Sequence, residues 1–318
     1  MSKAHILHAP AAPSPMQDLQ LGLESAPWLS DLLSLGDFAL FDSALPAVAI
    51  YALITVPFFL VFWVWRRQAV QPRRIQPKQR STATQWTREI RQSLSSVAIF
   101  TLIDVGIFLA DRSGFTTIYQ SIGDHGLAYL AASVVLMIVI QDTFFYWAHR
   151  LMHWKPLYRW SHRVHHESID TSPFTAYSFS LVEAVVEGIP NIIFPFLFPV
   201  HWSALIVYQV LSLIMNVIGH LGYEIIPESW SGHWLLKWKT PSTHHNMHHS
   251  HVNGNYTLYF RFWDVWMGTE FKEYPQKLQS VYERIRQHRQ AAEGSATPDV
   301  QLQLTVPSTS ASIPETAA

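Results

Sequence analysis

The run LPAVAIYALITVPFFLVFWVW, from Leu45 to Trp65, carries no charged side chain in 21 residues. At ~1.5 Å per residue, a helix of that length measures about 31 Å, the thickness of a bilayer's hydrocarbon core. The run therefore predicts a membrane span, with Trp63 and Trp65 suited to the interface and Pro57 placed to kink it. The whole chain agrees: 49% of its 318 residues are apolar and 14% are charged, against roughly 25% charged in soluble domains. A net charge of −1 offers no basic surface for nucleic acid. Residues 1–20 have no basic stretch leading into an apolar core, so targeting is expected to rest on the spans themselves.

Arg66 to Arg91 holds eight Lys or Arg residues and one acid, Glu89, which by the positive-inside rule places it in the cytoplasm. Val97–Ala110 and Leu127–Tyr146 read as further apolar segments. The first is short and contains Asp104, so it should span poorly or pack against a neighbour. Leu181–Gly219 reads as two helices joined near Pro199. The expected fold is all-α: an integral membrane helical bundle of about four to five transmembrane helices under a cytoplasmic, histidine-rich helical cap. Residues 1–44 form an N-terminal segment, partly disordered, with a short interfacial helix in WLSDLLSLGDFALF. Residues 45–290 form the membrane domain. The tail 291–318, without aromatics or periodicity, is expected to be disordered.

The chain contains no cysteine. That removes disulfides, iron–sulfur clusters, thiolate haem and cysteine zinc sites, and leaves metal chemistry to histidine and carboxylate. Thirteen of the 17 histidines lie between His149 and His251, five of them within His244–His251. Their spacing matters more than their density. HRLMH supplies His149 and His153; HRVHH supplies His162, His165 and His166; HNMHH supplies His245, His248 and His249. On a helix, residues at i, i+3 and i+4 share a face. Eight convergent imidazoles exceed what one four-coordinate zinc accepts and suit two metal ions, without choosing among iron, copper, nickel and zinc. His220, in NVIGHLGYE, is a ninth candidate.

A lone histidine pair four apart is ordinary surface chemistry, and only the three groups together argue for a metal. Asp142, Tyr146, His149 and His153 fall on one helix face. Asp142 could fix a ligand's tautomer or simply be a polar residue at the membrane boundary. Tyr146 and Asp264 are candidates for the same supporting role, and Glu183 and Glu187 are weaker ones. His233, His244 and His251 are open between support and exposure. A metal-ion transporter would hold its histidines near the bilayer midplane on broken helices, whereas these lie at helix ends and in polar segments. A haem protein needs two axial histidines rather than eight, and a zinc-dependent membrane hydrolase would share the same ligands.

The motifs DTFFYWAHRLMH, WSHRVHH, GHLGYE and TPSTHHNMHHSHVNGNYTLYFRFWDVWMGT together resemble the fatty acid hydroxylase/sterol desaturase superfamily of membrane enzymes, its bacterial sterol-desaturase-like members in particular. The resemblance covers about residues 130–275. It implies a non-haem di-iron centre facing the cytoplasm, in a bacterial inner membrane or the endoplasmic reticulum. It further implies O2 as co-substrate and hydroxylation or desaturation of an unactivated lipid C–H bond. A sterol-type substrate is favoured over acyl, sphingolipid or carotenoid ones. Carried over, the ligands are His149, His153, His162, His165, His166, His245, His248 and His249, with His220 as a further one. Where many members have a histidine–proline pair before a glutamate, this chain has Ser180 and Leu181 with Glu183 retained. No GxGxxG, cysteine or HPGG is present to carry electrons. The implied partners are thus a lipid in the bilayer and a separate donor, a ferredoxin or small cytochrome with its reductase, for which Arg66–Arg91 is one docking candidate.

Overall fold

The computed structural model describes residues 44–78 and 81–296. The expected interfacial helix in WLSDLLSLGDFALF and the tail beyond Ala296 lie outside them. Among the described residues, four helices are long and apolar enough to cross a membrane: α1 (Ala44–Trp65), α2 (Ala83–Arg112), α3 (Gly126–Met152) and α7 (Trp202–Gly219). Between α3 and α7 lie the short α4 (Lys155–Ser161) and α5 (Arg163–His166), then α6 (Leu181–Leu197). α6 is apolar but holds Pro190 and Pro195. The cap is completed by α8 (Ser242–His251), α9 (Phe262–Met267) and α10 (Tyr274–Ala296).

Leu53, Leu102, Leu127 and Leu197 point away from the bundle and are more than half exposed, as a lipid-facing surface requires. Inside, α3, α6 and α7 meet through Val134, Met137, Phe194, Leu205 and Tyr208. Tyr51, Val97, Phe174, Leu213 and Val217 join α1, α2 and α7. Gly188 of α6 lies so close to Ile103 of α2 that a Cβ there would collide with it. The Ile103 side chain therefore packs directly onto the α6 backbone where the two helices cross.

The second span differs from expectation. α2 is 30 residues long, because its polar first half is helical too. Thr82 caps it by accepting from the Gln85 amide. The buried Glu89 carboxylate accepts from Gln85, Ser168, Ser172 and Thr175, so these polar residues bind the 168–175 loop and leave the apolar half to face lipid. Asp104 packs against a neighbour, accepting from Gln209 Nε2 at 3.1 Å. At the other end of the chain, α10 continues helical to Ala296, beyond the boundary expected at 290.

The connections order the bundle. Ile118–Tyr119 (β1) pairs in parallel with Val200–His201 (β2), tying the α2–α3 loop to the α6–α7 turn at one end. The opposite end receives the C-termini of α1, α3 and α7 and the N-termini of α2 and α6. There Trp63 Nε1 donates to Leu221 O at 3.0 Å. The Arg74 guanidinium lies against the Trp63 and Tyr223 rings at 4.2 and 4.9 Å while paired with Asp170. Every dense histidine group lies at this end.

Candidate metal centre

α3 runs helical as far as Met152, which puts His149 inside its last turn and His153 at its cap. His220 caps the C-terminus of α7. α8 owes its position to the buried Glu224, whose Oε2 accepts from the amide and hydroxyl of Thr243 at 2.9 and 2.7 Å. A carboxylate on a helix's first free N–H groups both satisfies them and complements the dipole. After His251 the chain reverses through Val252, Gly254 and Asn255, all at positive φ. A Cβ at Gly254 would meet the Phe271 ring and the Thr269 carbonyl within 3 Å, so glycine is required there.

All nine predicted histidines are buried, none more than 9% exposed. They converge as two groups: His149, His153, His162, His166 and His248 in one, and His165, His220, His245 and His249 in the other. Within each group the nitrogens lie within 4.8 Å of one another. Helix geometry explains the partition. Residues four apart differ by about 40° of rotation and neighbours by about 100°. In each H-x-x-H-H, the first and last imidazoles therefore share a face and the middle one diverges. His162 and His166 enter the first group while His165 enters the second; His245 and His249 enter the second while His248 enters the first.

Hydrogen bonds to the outer ring nitrogens fix the tautomers, as read from the network. Nδ1 of His149 donates to the Tyr256 carbonyl at 2.6 Å, that of His248 to Gly254 O at 2.7 Å, and that of His220 to Asn216 O at 2.9 Å. Nδ1 of His162 donates to Glu183 Oε1 at 2.6 Å. Each Nε2 is then a bare lone pair. Yet His149 Nε2 lies 2.8 Å from His162 Nε2. His220 Nε2 lies 2.9, 3.1 and 3.1 Å from those of His245, His165 and His249. The His149 and His162 lone pairs, both set by their Nδ1 protons, repel one another unless a cation sits between them, and around His220 only one of the three neighbours can donate to its lone pair at a time. Two imidazoles about 2.1 Å from one ion stand about 3.0 Å apart at a right angle and about 3.4 Å apart in a tetrahedron. The residues fit two metal ions.

Electrostatics point the same way. Burial, then the neighbouring imidazoles, hold His153, His162, His165, His245, His248 and His249 well below the usual histidine range. His166 is lowered to about 3 and His220 to about 4, again chiefly by burial. Neutral imidazole is the form that binds a metal.

The supporting candidates separate. Asp142 touches none of the nine; its Oδ1 accepts from the amides of Tyr259 and Phe260 at 3.1 and 3.2 Å. Tyr146 bonds Thr269 and Arg150. Asp264 acts at one remove, accepting from the amides of Tyr256 and Thr257 at 2.9 and 2.8 Å and so holding the carbonyl that binds His149. Glu183, a weaker candidate by sequence, makes the direct contact with His162. The signal available was the carboxylate three residues after Ser180, the residue that caps α6. His244 is buried outside both groups, 3.7 Å from Asp264 and 3.5 Å from Glu270, while His233 and His251 are exposed.

Comparison with known proteins meets this geometry. Residues 134–269 match the family model described as fatty acid hydroxylase. A Delta(7)-sterol 5(6)-desaturase of Gibberella zeae is 30% identical over 214 residues, covering 67% of this chain and 64% of the relative. Human lathosterol oxidase is 28% identical, covering 58% and 60%. A methylsterol monooxygenase of Aspergillus fumigatus is 34% identical over 145 residues, covering 44% and 47%. Each match thus spans less than two thirds of the relative's length. No solved structure matches. The family model spans the stretch that carries all nine clustered histidines, and this fatty acid hydroxylase domain, with its sterol desaturase and lathosterol oxidase relatives, supports membership of the fatty acid hydroxylase/sterol desaturase superfamily.

Proposed function

We propose that this protein is a membrane-bound non-haem di-iron oxygenase that hydroxylates or desaturates an unactivated C–H bond of a sterol-type lipid, using O2 and two electrons from a separate donor. The observation that carries the reading is the pair of facing Nε2 groups, with the outer nitrogens of His149, His220 and His248 fixed by carbonyls and that of His162 by a carboxylate. Iron bound there would supply the oxidant for an alkyl C–H bond, a task beyond protein side chains. The nine imidazoles are proposed to hold the ions, five around one and four around the other. Glu183 makes the His162 ring a more basic donor, and Asp264 keeps the Tyr256 carbonyl in place for His149.

The lipid would enter a cavity of about 350 Å³ inside the bundle, within the usual size of small-molecule sites. Phe145 and Phe179 line it and pack on the rings of His149 and His165 at 4.8 and 5.2 Å. Leu258 and Asn216 complete that wall. These side chains can hold a carbon near the imidazoles and keep water away. With no cysteine, the chain has no iron–sulfur centre of its own, so a ferredoxin or small cytochrome with its reductase is the proposed donor, meeting the metal end from the cytoplasm.

The test is the metal content of detergent-purified protein after anaerobic iron reconstitution, wild type beside His249→Ala, followed by sterol turnover with O2 and a ferredoxin–reductase pair. About two irons per chain in wild type, fewer in the variant, and an oxidised sterol support the reading. Absence of iron after reconstitution would overturn it.

A further inference from the structure

The same cavity holds polar groups that the metal centre does not use. Glu187 lies one turn, about 6 Å, beyond Glu183 on α6. Its carboxyl lines the cavity, and its Oε1 is buried without a hydrogen-bond partner. Asp104 and Gln209, bonded to each other, line the cavity too. Gly188 packs against the Ile103 side chain, and Glu187 and Asp104 are the chain neighbours of those two residues, so both line the cavity near the crossing of α2 and α6. Asn216 sits nearer the metal end. It is 7% exposed, lines the cavity, and its Oδ1 has no partner. The remaining wall is largely apolar, with Phe100, Ile107, Leu205 and Leu213 among its residues.

Carboxyl groups at membrane depth are costly, and an unpartnered one facing a cavity marks a ligand group that completes it. We propose that Glu187, with the Asp104–Gln209 pair, is a recognition station for the hydroxyl of a neutral lipid alcohol, and that its distance from the imidazoles selects which carbon reaches them. This rests on the lipid-oxygenase reading above and narrows its substrate class. A hydroxyl can donate to one carboxyl oxygen and accept from Gln209 or a protonated carboxyl. A fatty acid's carboxylate would face two carboxyl groups and be rejected, and an esterified alcohol would leave Glu187 without its donor.

The station is tested by binding, independently of turnover. Iron-reconstituted protein in detergent is titrated with dehydroergosterol, a fluorescent sterol alcohol, read by energy transfer from tryptophan, and with its 3-acetate. Oleate is added as competitor. Wild type should bind the alcohol about ten- to hundredfold more tightly than the acetate and resist oleate. Glu187→Leu should lose that preference while keeping its iron, and Glu187→Gln, of the same size and able to hydrogen-bond, should keep most of it. Equal binding of alcohol and acetate by wild type overturns the station, whatever the variants do; so does a preference that survives in iron-loaded Glu187→Leu. A hydroxyl preference abolished in Glu187→Leu, in protein that holds iron but oxidises no sterol, would uphold the station and count against the oxygenase reading alone.

Discussion

Glu183 Oε1 and His162 Nδ1 lie 2.6 Å apart, both buried. The carboxylate sets the tautomer and basicity of an imidazole whose other nitrogen faces the first histidine group. Glu183→Ala should lower metal affinity by roughly 10- to 100-fold. Glu183→Gln should lower it less, because the amide oxygen still accepts from Nδ1. Chelator competition measures both. Equal affinities in all three proteins would show that the contact does not tune the site.

The two histidine groups differ in size, and their variants should differ accordingly. His249→Ala leaves three imidazoles in its group, whereas His153→Ala leaves four in the other. Elemental analysis should find about one iron per chain in the first variant and close to two in the second. Equal loss in both would mean that the ions bind as one unit.

Gly222 sits at φ +77°, two residues past His220, and a Cβ there would meet Arg74 Nη1 at 2.6 Å and the Thr171 carbonyl at 2.7 Å. Gly222→Ala should destabilise the protein by about 2 kcal/mol or more. It should also displace the buried arginine that joins the cap to α1. Thermal unfolding of the iron-loaded protein checks the cost, and an unchanged midpoint would contradict it.

Protein stripped of metal should weaken in mild acid. Histidines whose folded pKa is lowered take up more protons when unfolded, so their stabilisation is complete above about pH 6.5. It is lost as pH falls toward the folded values, about 4 for His220 and about 3 for His166. The unfolding midpoint should drop steadily between pH 7 and 4, with the metal-loaded protein shifted to lower pH. A flat profile would mean that the rings are not buried in solution.

The convergence of eight histidines was legible in the sequence because helical spacing projects directly into space, whereas His220, alone at the end of an apolar helix, rested on the resemblance. Their division between two groups follows from the same 3.6-residue repeat. The first span was legible from charge alone. The second was misjudged in length because an apolar count cannot know that Glu89 and Ser93 will face the 168–175 loop, where their hydrogen bonds are met. Asp142 and Glu183 exchanged importance for a similar reason. Asp142 shares a face with His149 and His153, but a backbone segment more than a hundred residues later takes its carboxylate. Glu183 meets His162 only because α6 turns back against α4, with Ser180 bonded to the Ser161 carbonyl. Partners chosen across the fold leave little trace in local pattern.

Each histidine group draws on both H-x-x-H-H motifs, and this has a consequence for biogenesis. Neither group is complete until His248 and His249 have been synthesised, a hundred residues after His149. At about 5–20 residues per second, the ribosome leaves the early ligands waiting for roughly 5–20 s. During that time the nascent chain offers four imidazoles of the first group but only His165 and His220 of the second, so on the proposed reading the second ion would be acquired only once α8 closes over it as the last part of the site to arrive.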